Sequence, residues 1–436
     1  MVIKVKFIDL FAGIGGLRKG FETAAKKYGL DASCVFTSEI KPHACKVLEQ
    51  NYQGEKIHGD ITLIDTKDIP SFDFLLAGFP CQAFSTAGKR MGFLDTRGTL
   101  FFEIERIIKA KQPFGFVLEN VEGLVTHDRE SKNDKIGRTL RTILASLGNL
   151  GYYADWRLLN ASSFGVPQER KRVYIVGTKK GMPNLNSFRK TKCKLSDILE
   201  SGLPCEKSKF IDLLLSRYKL HELHGKAIKD KRGGNDNIHS WDIALKGEIS
   251  DDQKSLMNVM LKERRKKKWA VDYGIDWMDG MPLTYEHIRT FYEHPNLNEI
   301  LEDLAVKGYL KKEHPKNIVG AKRIKDTSLP QGYNIVAGKM SFEISKILDP
   351  NGTAPTLVAM DMRHIYVTDE GGLRRLSLKE GLRLFGFPDD YKFDIDWELG
   401  FDLLGNTVVV PVITAISEKV LDVFVKEAEF EKTIAS

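Results

Sequence analysis

Cys81 has the placement of a catalytic nucleophile. It comes just after the apolar run 74–77 and Gly78, a pattern that predicts a buried strand ending at a turn. In an open α/β sheet, ligands bind in the crevice beyond the carboxyl ends of the strands. A thiol in that crevice can attack a substrate if it is reachable and partly ionised. The alternative is a small buried side chain, which is the commonest fate of a free cysteine.

Glu119 takes the same position on another predicted strand. The apolar run 114–118 ends at Glu119-Asn120-Val121, so the carboxylate should lie in the crevice that holds Cys81. Its other interpretation is a cap for the helix that follows the strand. The sequence therefore places a thiol and a carboxylate together, without fixing what the carboxylate does.

A polar tract, FGVPQERKR at 164–172, leads into the apolar run VYIVG. Gln168, Arg170 and Arg172 alternate along this tract, so a strand would present all three on one face. A solvated edge strand would have the same alternation. The apolar run that follows favours a fixed and partly buried set of polar groups instead.

The first element of the chain combines a strand, a glycine-rich turn and a helix, within VKFIDLFAGIGGLRKGFE at 5–22. Gly13, Gly15 and Gly16 tolerate positive φ and let a ligand approach the backbone closely. The helix points its N-terminal amides at the same place. Because such turns are common, this element indicates a nucleotide site only if the following strands support it.

Two carboxylates at successive strand ends give that support. Glu39 follows the predicted strand 32–38, where it could accept hydrogen bonds from both hydroxyls of a ribose. A third strand ends near Asp60 and Ile61, which offer a carboxylate and an apolar contact to an adenine ring. These residues predict a nucleoside cofactor, and a dinucleotide and S-adenosylmethionine fit them equally well.

The composition is that of a globular protein. The chain has 436 residues, 42% hydrophobic and 29% charged, and no apolar run approaches membrane-spanning length. Its five cysteines form no CxxC pair, which argues against a disulfide framework and a thiolate zinc site, and for a reducing cytoplasm. We expect no signal peptide, no metal centre and no membrane. The net charge of +7 permits a polyanionic partner without requiring one.

The alternation of strands and helices stops where the segment 183–355 begins. This segment is dense in charge, and its basic cluster at 264–268 is either a surface that contacts a polyanion or a solvated helix face. We therefore expect a catalytic α/β domain at 1–182, a separate domain at 183–355, and a C-terminal part at 356–436 that returns to the catalytic domain. The polar, glycine-broken segment 83–98 is predicted to form a lid.

Together these pieces resemble the bacterial DNA (cytosine-5) methyltransferases of restriction–modification systems. The matching segments, in the family's order and spacing, are FIDLFAGIGG at 7–16, Glu39, Asp60, GFPCQAFS at 78–85, ENV at 119–121, QERKR at 168–172, RRLSLKEGLRLFGFP at 374–388 and GNTVVVPV at 405–412. The segment 182–345 has no matching motif and takes the place of the family's target-recognition domain. The resemblance implies a Rossmann-like, S-adenosylmethionine-dependent methyltransferase domain with a mixed, mostly parallel sheet, plus a smaller target-recognition domain.

The resemblance also implies a covalent mechanism for methylating cytosine. Cys81, next to Gln82 in the implied catalytic set, is the nucleophile that adds at carbon 6, since carbon 5 alone is too weak a nucleophile to take a methyl group. Glu119 is implied as the acid at ring nitrogen 3. Arg172, with Arg170 close by, is implied as the cation that holds the base carbonyl and keeps the thiol ionised. The base must leave the duplex for this chemistry, so base flipping is implied as well.

The cofactor and DNA contacts are implied in the same way. The implied cofactor is S-adenosylmethionine, held by Phe11, Gly13, Gly15, Gly16, Glu39, Ile40, Asp60, Ile61, Pro80, Leu100 and Asn406. The implied DNA contacts are Ser85, Lys89, Arg90, Arg97, Gln168 and Thr356. The partner would be double-stranded DNA, bound by a monomer in the cytoplasm, while a cognate restriction endonuclease acts separately.

Three alternatives stay open. A nicotinamide-dependent dehydrogenase fits the glycine turn and Glu39, but it leaves Cys81 and Glu119 without a role. A tRNA cytosine methyltransferase of the same superfamily is disfavoured by the large basic segment, and substrate assays decide the point. A catalytically inactive DNA-binding relative would lack Cys81, Glu119 or Arg172, and all three are present.

Overall fold

The chain folds into two compact units. The structure, a computed structural model, describes residues 2–79, 100–131, 133–231, 237–320, 322–336 and 342–435. Unit 1 consists of Met1–Glu200, Asn351–Met362 and Leu376–Ser436, and unit 2 consists of Ser201–Pro350 and Arg363–Arg375. Unit 1 is therefore discontinuous in sequence. The roles assigned from the sequence to 1–182, 183–355 and 356–436 stay predictions.

Seven described strands of unit 1 form one sheet in the order β3-β2-β1-β4-β5-β7-β6. Their bounds are β1 Lys4–Leu10, β2 Asp31–Ser38, β3 Ile57–His58, β4 Phe74–Gly78, β5 Gly115–Val121, β6 Tyr153–Asn160 and β7 Lys171–Thr178. The strands from β3 to β5 run parallel, whereas β7 is antiparallel to both β5 and β6. The predicted α/β class, with a mixed and mostly parallel sheet, is confirmed.

The central strand β4 shows how the sequence sets this sheet. Every residue at 74–77 is 0% exposed, so both faces of the strand are covered. A continuous apolar run is typical of a parallel strand with helices on both faces. In the register of the sheet, Leu10 of β1 lies beside Ala77, and Gly78 lies beside Glu119 of β5. The carboxyl ends of three strands therefore meet at one edge.

Five helices of the described chain precede unit 2: α1 Gly16–Lys27, α2 Pro42–Asn51, α3 Leu100–Lys111, α4 Gly123–Thr126 and α5 Arg138–Asn149. Of these, α3 lies in a segment where apolar spacing predicts a helix. Its buried residues Phe101, Ile104, Ile107 and Ile108 recur at helical intervals and share one core with Leu75 of β4. Burial of this apolar face fixes α3 against the sheet.

Unit 2 combines short helices with small sheets. Its helices are α6 Lys209–Arg217, α7 Asp251–Glu263, α8 Lys268–Tyr273, α9 Tyr285–Arg289 and α10 Leu297–Val306. Its strands are β8 Ala227–Ile228, β9 Asn237–Ile238, β10 Leu310–Glu313, β11 Lys316–Val319, β12 Lys322–Lys325, β13 Gly332–Ile335, β14 Lys346–Ile347, β15 Ile365–Asp369 and β16 Gly372–Arg375. The described strands form the sheet β16-β15-β14-β8-β9 and the pairs β10-β13 and β11-β12.

The basic cluster at 264–268 is not a single solvated or DNA-facing surface. Arg264 is only 4% exposed, and its guanidinium donates hydrogen bonds to Asn334 Oδ1 at 2.7 Å and to the Lys231 carbonyl at 3.2 Å. For Arg264, both interpretations made from the sequence are therefore wrong, because it belongs to the interior of unit 2. Lys266 and Lys267 are exposed.

The C-terminal part returns to unit 1 as α11 Leu378–Leu384, α12 Trp397–Gly405 and α13 Val410–Ala435. The last helix is longer than the predicted segment 411–424. It packs closely on α1, where a Cβ at Gly20 would lie 2.5 Å from the Cβ of Ile413. A glycine at this position is what lets the two helices approach. In the part of the chain that the structure describes, no helix has the length and apolar character to cross a membrane.

Candidate active site

A cavity of about 510 Å³ lies at the carboxyl ends of β1, β2, β4 and β5. This is the crevice where the sequence places Cys81 and Glu119. The cavity has the size of an ordinary small-molecule site, about 300–1,000 Å³. Its lining includes eleven residues predicted from the sequence: Phe11, Gly13, Glu39, Ile40, Asp60, Ile61, Leu100, Glu119, Arg170, Arg172 and Asn406.

Seven predicted site residues lie outside the described residues: Pro80, Cys81, Gln82, Ser85, Lys89, Arg90 and Arg97. The predicted lid at 83–98 falls there too. The described chain stops at Phe79 and resumes at Leu100, and both of these residues line the cavity. The segment that carries Cys81 therefore begins and ends at the cavity, and the roles of its residues stay predictions.

The turn after β1 shapes one wall of the cavity. Phe11 has φ 56°, in the left-handed region that bulky residues rarely adopt, and such strain is concentrated at functional sites. Gly13 also has φ 56° and lines the cavity. Gly15 and Gly16 are not among the residues that line it, and their predicted cofactor contacts stay predictions. A Cβ at Gly16 would lie 2.8 Å from Val408 Cγ2, so this glycine admits the C-terminal part instead.

Glu39 is held rigidly at the end of β2. Its side chain is almost buried, its Oε1 accepts hydrogen bonds from the amides of Ile40 and Lys41 at 2.8 Å each, and its Oε2 accepts one from Gly13 at 2.7 Å. A carboxylate oxygen offers about two acceptor positions. Oε1 is therefore filled and Oε2 keeps one position, which suits a single ribose hydroxyl better than the predicted pair.

Asp60 and two isoleucines form the other side of this pocket. Asp60 Oδ1 accepts hydrogen bonds from the amide and the hydroxyl of Thr62, at 2.9 and 2.8 Å, and these fix the carboxylate at a helix start. No described residue donates a hydrogen bond to its Oδ2. Ile61 is 2% exposed and belongs to the core, whereas Ile40 is 68% exposed and offers its side chain to a flat apolar ring.

Glu119 and Arg172 form an ion pair at the cavity wall. Arg172 Nε lies 3.2 Å from Glu119 Oε1, and the side chains are 15% and 12% exposed. Burial raises the pKa of Glu119 above its ordinary value, while the positive charges of Arg172 and Arg170 oppose that rise. A carboxyl group poised in this way can pass between its neutral and ionised forms, which general acid catalysis requires.

Asn120 is a functional residue that the sequence did not single out. It is 1% exposed, and its Nδ2 donates a hydrogen bond to the carbonyl of Phe79 at 3.2 Å, while its Oδ1 accepts one from the amide of Val121 at 2.9 Å. It thus ties the end of β5 to the chain just before Pro80 and Cys81. The asparagine of the ENV tripeptide is the sequence signal for these bonds, since a buried side-chain amide needs hydrogen-bond partners for both its nitrogen and its oxygen.

Arg170 has a different environment from the one predicted. It precedes β7, is 3% exposed, and donates hydrogen bonds to the carbonyls of Thr407 at 2.8 Å, Gly405 at 3.0 Å and Leu357 at 3.4 Å. The predicted strand face shared with Arg172 is wrong, because β7 begins only at Lys171. Arg170 also lines the cavity, but most of its guanidinium is committed to the C-terminal part.

Gln168 is fully buried, so the DNA contact predicted for its side chain is corrected. Its Nε2 donates a hydrogen bond to the carbonyl of Leu384 at 3.1 Å, at the end of α11. Thr356, another predicted DNA contact, donates its hydroxyl to the carbonyl of Glu169 at 2.5 Å. It lines a neighbouring cavity of about 600 Å³ together with Arg172. That second cavity brings Thr356 to the Arg172 side of the site.

The C-terminal part completes the cofactor side of the first cavity. Asn406, at the end of α12, lines it, and its Nδ2 donates a hydrogen bond to the carbonyl of Asp402 at 2.7 Å. Leu403 and Gly405 line it as well. The sequence predicted Asn406 but missed these two neighbours, because nothing in a helical segment far along the chain marks it as a cavity wall.

Comparison with known proteins identifies the family. The model of the C-5 cytosine-specific DNA methylases matches residues 5–422, which include every element that lines the cavity. The chain belongs to this family. The enzyme is therefore a DNA (cytosine-5)-methyltransferase and uses a methyl donor. The resemblance drawn from the sequence is confirmed, and the dehydrogenase alternative is removed.

Similar proteins support the same assignment over the whole length. The enzyme is 63% identical to the type II methyltransferase M.NlaIV of Neisseria lactamica and 62% identical to M.NgoBV of Neisseria gonorrhoeae, over 96% of this chain and 99% of each relative. It is 41% identical to M.BanI of Aneurinibacillus aneurinilyticus, over 95% of both chains. The similarity thus includes the segment 183–355, where the sequence shows no motif.

Two proteins of known structure share the fold at low identity. One is the Entamoeba histolytica methyltransferase EhMeth, with a TM-score of 0.53 and 17% identity, covering 96% of this chain and 98% of that one. The other is the S. pombe Dnmt2 methyltransferase, with a TM-score of 0.52 and 16% identity over the same shares. At these identities the likeness concerns the fold alone, which is that of a methyltransferase.

Proposed function

We propose that the enzyme methylates carbon 5 of a cytosine flipped out of duplex DNA, with Cys81 as the covalent nucleophile. The Cys81 thiolate forms a bond to carbon 6, and the electron pair of the ring double bond then attacks the methyl carbon from carbon 5. The bond from that methyl carbon to the donor's sulfonium sulfur would break in the same step, with S-adenosylhomocysteine as the leaving group. Loss of the carbon 5 proton restores the double bond and expels the thiolate. Glu119 gives a proton or hydrogen bond to ring nitrogen 3, and Arg172 holds the base carbonyl.

The Glu119–Arg172 pair carries this proposal. The two groups lie 3.2 Å apart at the ends of antiparallel neighbours, on the wall of a cavity that Phe79 also lines. Phe79 precedes Cys81 by two residues in the sequence. An acid with a raised pKa beside a fixed cation provides the two charges that activating a cytosine ring requires.

The cavity suits S-adenosylmethionine, which we propose as the methyl donor. Glu39 Oε2 keeps one acceptor position for a ribose hydroxyl, Asp60 offers an acceptor to the adenine amine, and exposed Ile40 offers an apolar face. Asn406 and Phe11 would hold the methionine end. When bound, S-adenosylmethionine supplies the methyl group that carbon 5 receives.

Unit 2 and the rest of the segment 183–355 would recognise the DNA target. This division rests on the loss of strand–helix alternation in the sequence and on the separate core of unit 2. We propose further that one monomer acts on bacterial DNA in the cytoplasm and protects it from a separate cognate endonuclease, as the names of the type II relatives suggest. Light scattering of the purified protein tests the monomer.

Trapping with 5-fluorocytosine tests the covalent step. A fluorine at carbon 5 permits attack and methyl transfer but blocks the final loss of a proton. DNA synthesised with 5-fluorocytosine in place of cytosine should therefore give a denaturation-resistant complex that forms only with S-adenosylmethionine. Mass spectrometry should map the bond to Cys81, and Cys81→Ser should abolish both the adduct and methylation, because a hydroxyl is far less ionised than a thiol.

A matched control is Cys193→Ser, which removes another free thiol of unit 1. It should trap and methylate DNA like the unmodified enzyme. An adduct on Cys193, or a Cys81→Ser protein that methylates at a normal rate, would refute the mechanism. Methylation of tRNA in preference to duplex DNA would refute the substrate, and would revive the RNA alternative.

A further inference from the structure

Unit 2 carries a hairpin formed by β11 and β12, which we call the basic hairpin (residues 316–325). Its sequence, KNIVGAKRIK, has four cations and no acid. Every residue of β12 is exposed. Lys316, Lys322 and Lys325 form no ion pair with any carboxylate among the described residues. These three lysines are therefore not held in ion pairs by the described residues of unit 2, and the carboxylate of Glu313 is a more distant opposite charge for Lys316.

The two ends of the basic hairpin lie close together where it joins the rest of unit 2. It is inserted between β10 and β13, which pair with each other and bury Leu310 and Ile335 in the unit 2 core. The Asp326 amide donates a hydrogen bond to the Pro315 carbonyl at 2.9 Å, and this bond joins the two ends of the hairpin. The hairpin is thus an insertion between two paired strands, and its removal should leave the β10–β13 pair intact.

The register of the basic hairpin is unfavourable for an isolated element. Lys316 lies directly opposite Lys325, and like charges in that position destabilise a strand pair. A two-stranded hairpin is at best marginally stable in water by itself. A bound polyanion would remove this repulsion.

One face of the basic hairpin combines charge with apolar surface. Residues opposite one another share a face, so Lys316, Lys325, Ile318 and Arg323 stand together. Ile318 is 43% exposed, and Ile324 on the other face is 51% exposed. The major groove of B-DNA admits a two-stranded ribbon, where lysines reach phosphates and apolar side chains reach thymine methyl groups.

We propose that the basic hairpin is a DNA-contacting element of unit 2 and enters the groove as a ribbon. This inference rests on the proposed function, in that unit 2 recognises duplex DNA. It assigns phosphate contacts to Lys316 and Lys325 on the face that carries Ile318, and to Lys322 next to the turn on the opposite face. It also replaces the cluster at 264–268 as the main basic contact, because that cluster has Arg264 in the interior.

Salt dependence of DNA binding tests the inference. Each phosphate contact steepens the dependence of the logarithm of affinity on the logarithm of salt by about 0.9, so the triple variant K316Q/K322Q/K325Q should lose about 2.7 of slope. From about 50 to about 200 mM salt, the unmodified enzyme should then lose about 40-fold more affinity than the variant. Fluorescence anisotropy with a labelled duplex measures both curves.

The matched control is K262Q/K266Q/K267Q, which removes two exposed charges of the 264–268 cluster and a third, Lys262, just before it. Its slope should stay closer to that of the unmodified enzyme. A second variant replaces residues 316–325 by two glycines and should reproduce the hairpin triple variant. S-adenosylhomocysteine binding, measured by calorimetry, reports whether unit 1 of each variant is folded.

A hairpin triple variant with the unmodified slope overturns the inference, and its charges then serve only to keep exposed strand edges from pairing. A full loss of slope in the control with none in the hairpin variant overturns it as well, in favour of the cluster. If the unmodified enzyme neither binds nor methylates duplex DNA, the proposed function fails first, and this outcome is distinguishable because it needs no variant.

Discussion

Arg170→Lys should detach the C-terminal part from the cofactor cavity without removing charge. The guanidinium of Arg170 joins the start of β7 to the carbonyls of Gly405 and Thr407, which flank the cavity residue Asn406. A lysine keeps the cation but has a single ammonium on a flexible stem and cannot reproduce the planar fork. Asn406 should therefore lose its fixed position.

The magnitude follows from the individual contacts. The bonds to Thr407 at 2.8 Å and Gly405 at 3.0 Å have good lengths, whereas the one to Leu357 at 3.4 Å is weak. A hydrogen bond from a charged donor contributes about 1.5–3 kcal/mol, and a lysine can restore one of the two strong bonds. The net loss for the segment is then about 1.5–3 kcal/mol, which corresponds to local opening about 10- to 150-fold more often.

Hydrogen exchange with mass spectrometry measures this opening directly. The amides of Asn406, Thr407 and Val410 donate to backbone carbonyls at 3.1, 3.2 and 2.9 Å, so a peptide that covers them is protected in the unmodified enzyme. In Arg170→Lys that peptide should exchange faster by the factor above, and S-adenosylhomocysteine should bind more weakly. Peptides of unit 2 should exchange at unchanged rates.

Arg172→Lys is the matched control, because it makes the same chemical change two residues away. Arg172 faces Glu119, and none of its hydrogen bonds or ion pairs reaches a described residue of the C-terminal part. It should lower turnover and leave the exchange of the 403–412 peptide unchanged. Equal exchange in Arg170→Lys and the unmodified enzyme would refute the proposal that Arg170 fixes the C-terminal part. Loss of turnover in Arg170→Lys with normal cofactor affinity would refute it as well.

Two further predictions concern carboxylates near the cofactor cavity. Glu39→Ala should weaken S-adenosylhomocysteine binding by about 1.5–3 kcal/mol, the loss of one charge-assisted hydrogen bond, and unchanged calorimetric affinity would remove Glu39 from the site. Burial raises the pKa of Asp9 well above its ordinary value of 3.8, so the folded state keeps a proton that the unfolded chain releases as pH rises. Asp9→Asn should therefore gain stability relative to the unmodified enzyme as the pH rises above about 4 in urea unfolding, and a constant difference would contradict this.

The strand ends of unit 1 could be predicted because their signals are local. An apolar run that stops at a polar residue marks the carboxyl end of a buried parallel strand, and parallel strands bring those ends to one edge. Glu39, Asp60 and Glu119 were found in this way without knowledge of the fold. The strand order seen in the structure adds which of them are neighbours.

The environments of Gln168 and Arg170 could not be predicted, because their partners are far along the chain. Arg170 bonds to carbonyls 187, 235 and 237 residues away, and Gln168 to one 216 residues away. Their alternation with Arg172 looks like a strand face, but the ladder of β7 starts only at Lys171. Every residue has a backbone carbonyl that can accept a hydrogen bond, so the residue types at 357, 384, 405 and 407 do not mark these positions as partners of Gln168 and Arg170.

The clamp made by Arg170 and Gln168 explains how a discontinuous unit 1 can hold one active site. Gln168 fixes the end of α11 through Leu384, and Arg170 fixes the end of α12 through Gly405 and Thr407. Arg172, which follows in the same tract, faces Glu119. One short stretch thus orients the C-terminal wall of the cofactor cavity with two side chains and the acid of the site with a third. A substitution that loosens this wall should therefore weaken cofactor binding without altering the residues proposed for catalysis. Arg170→Lys and Arg172→Lys measure these two effects separately, as cofactor affinity and as turnover.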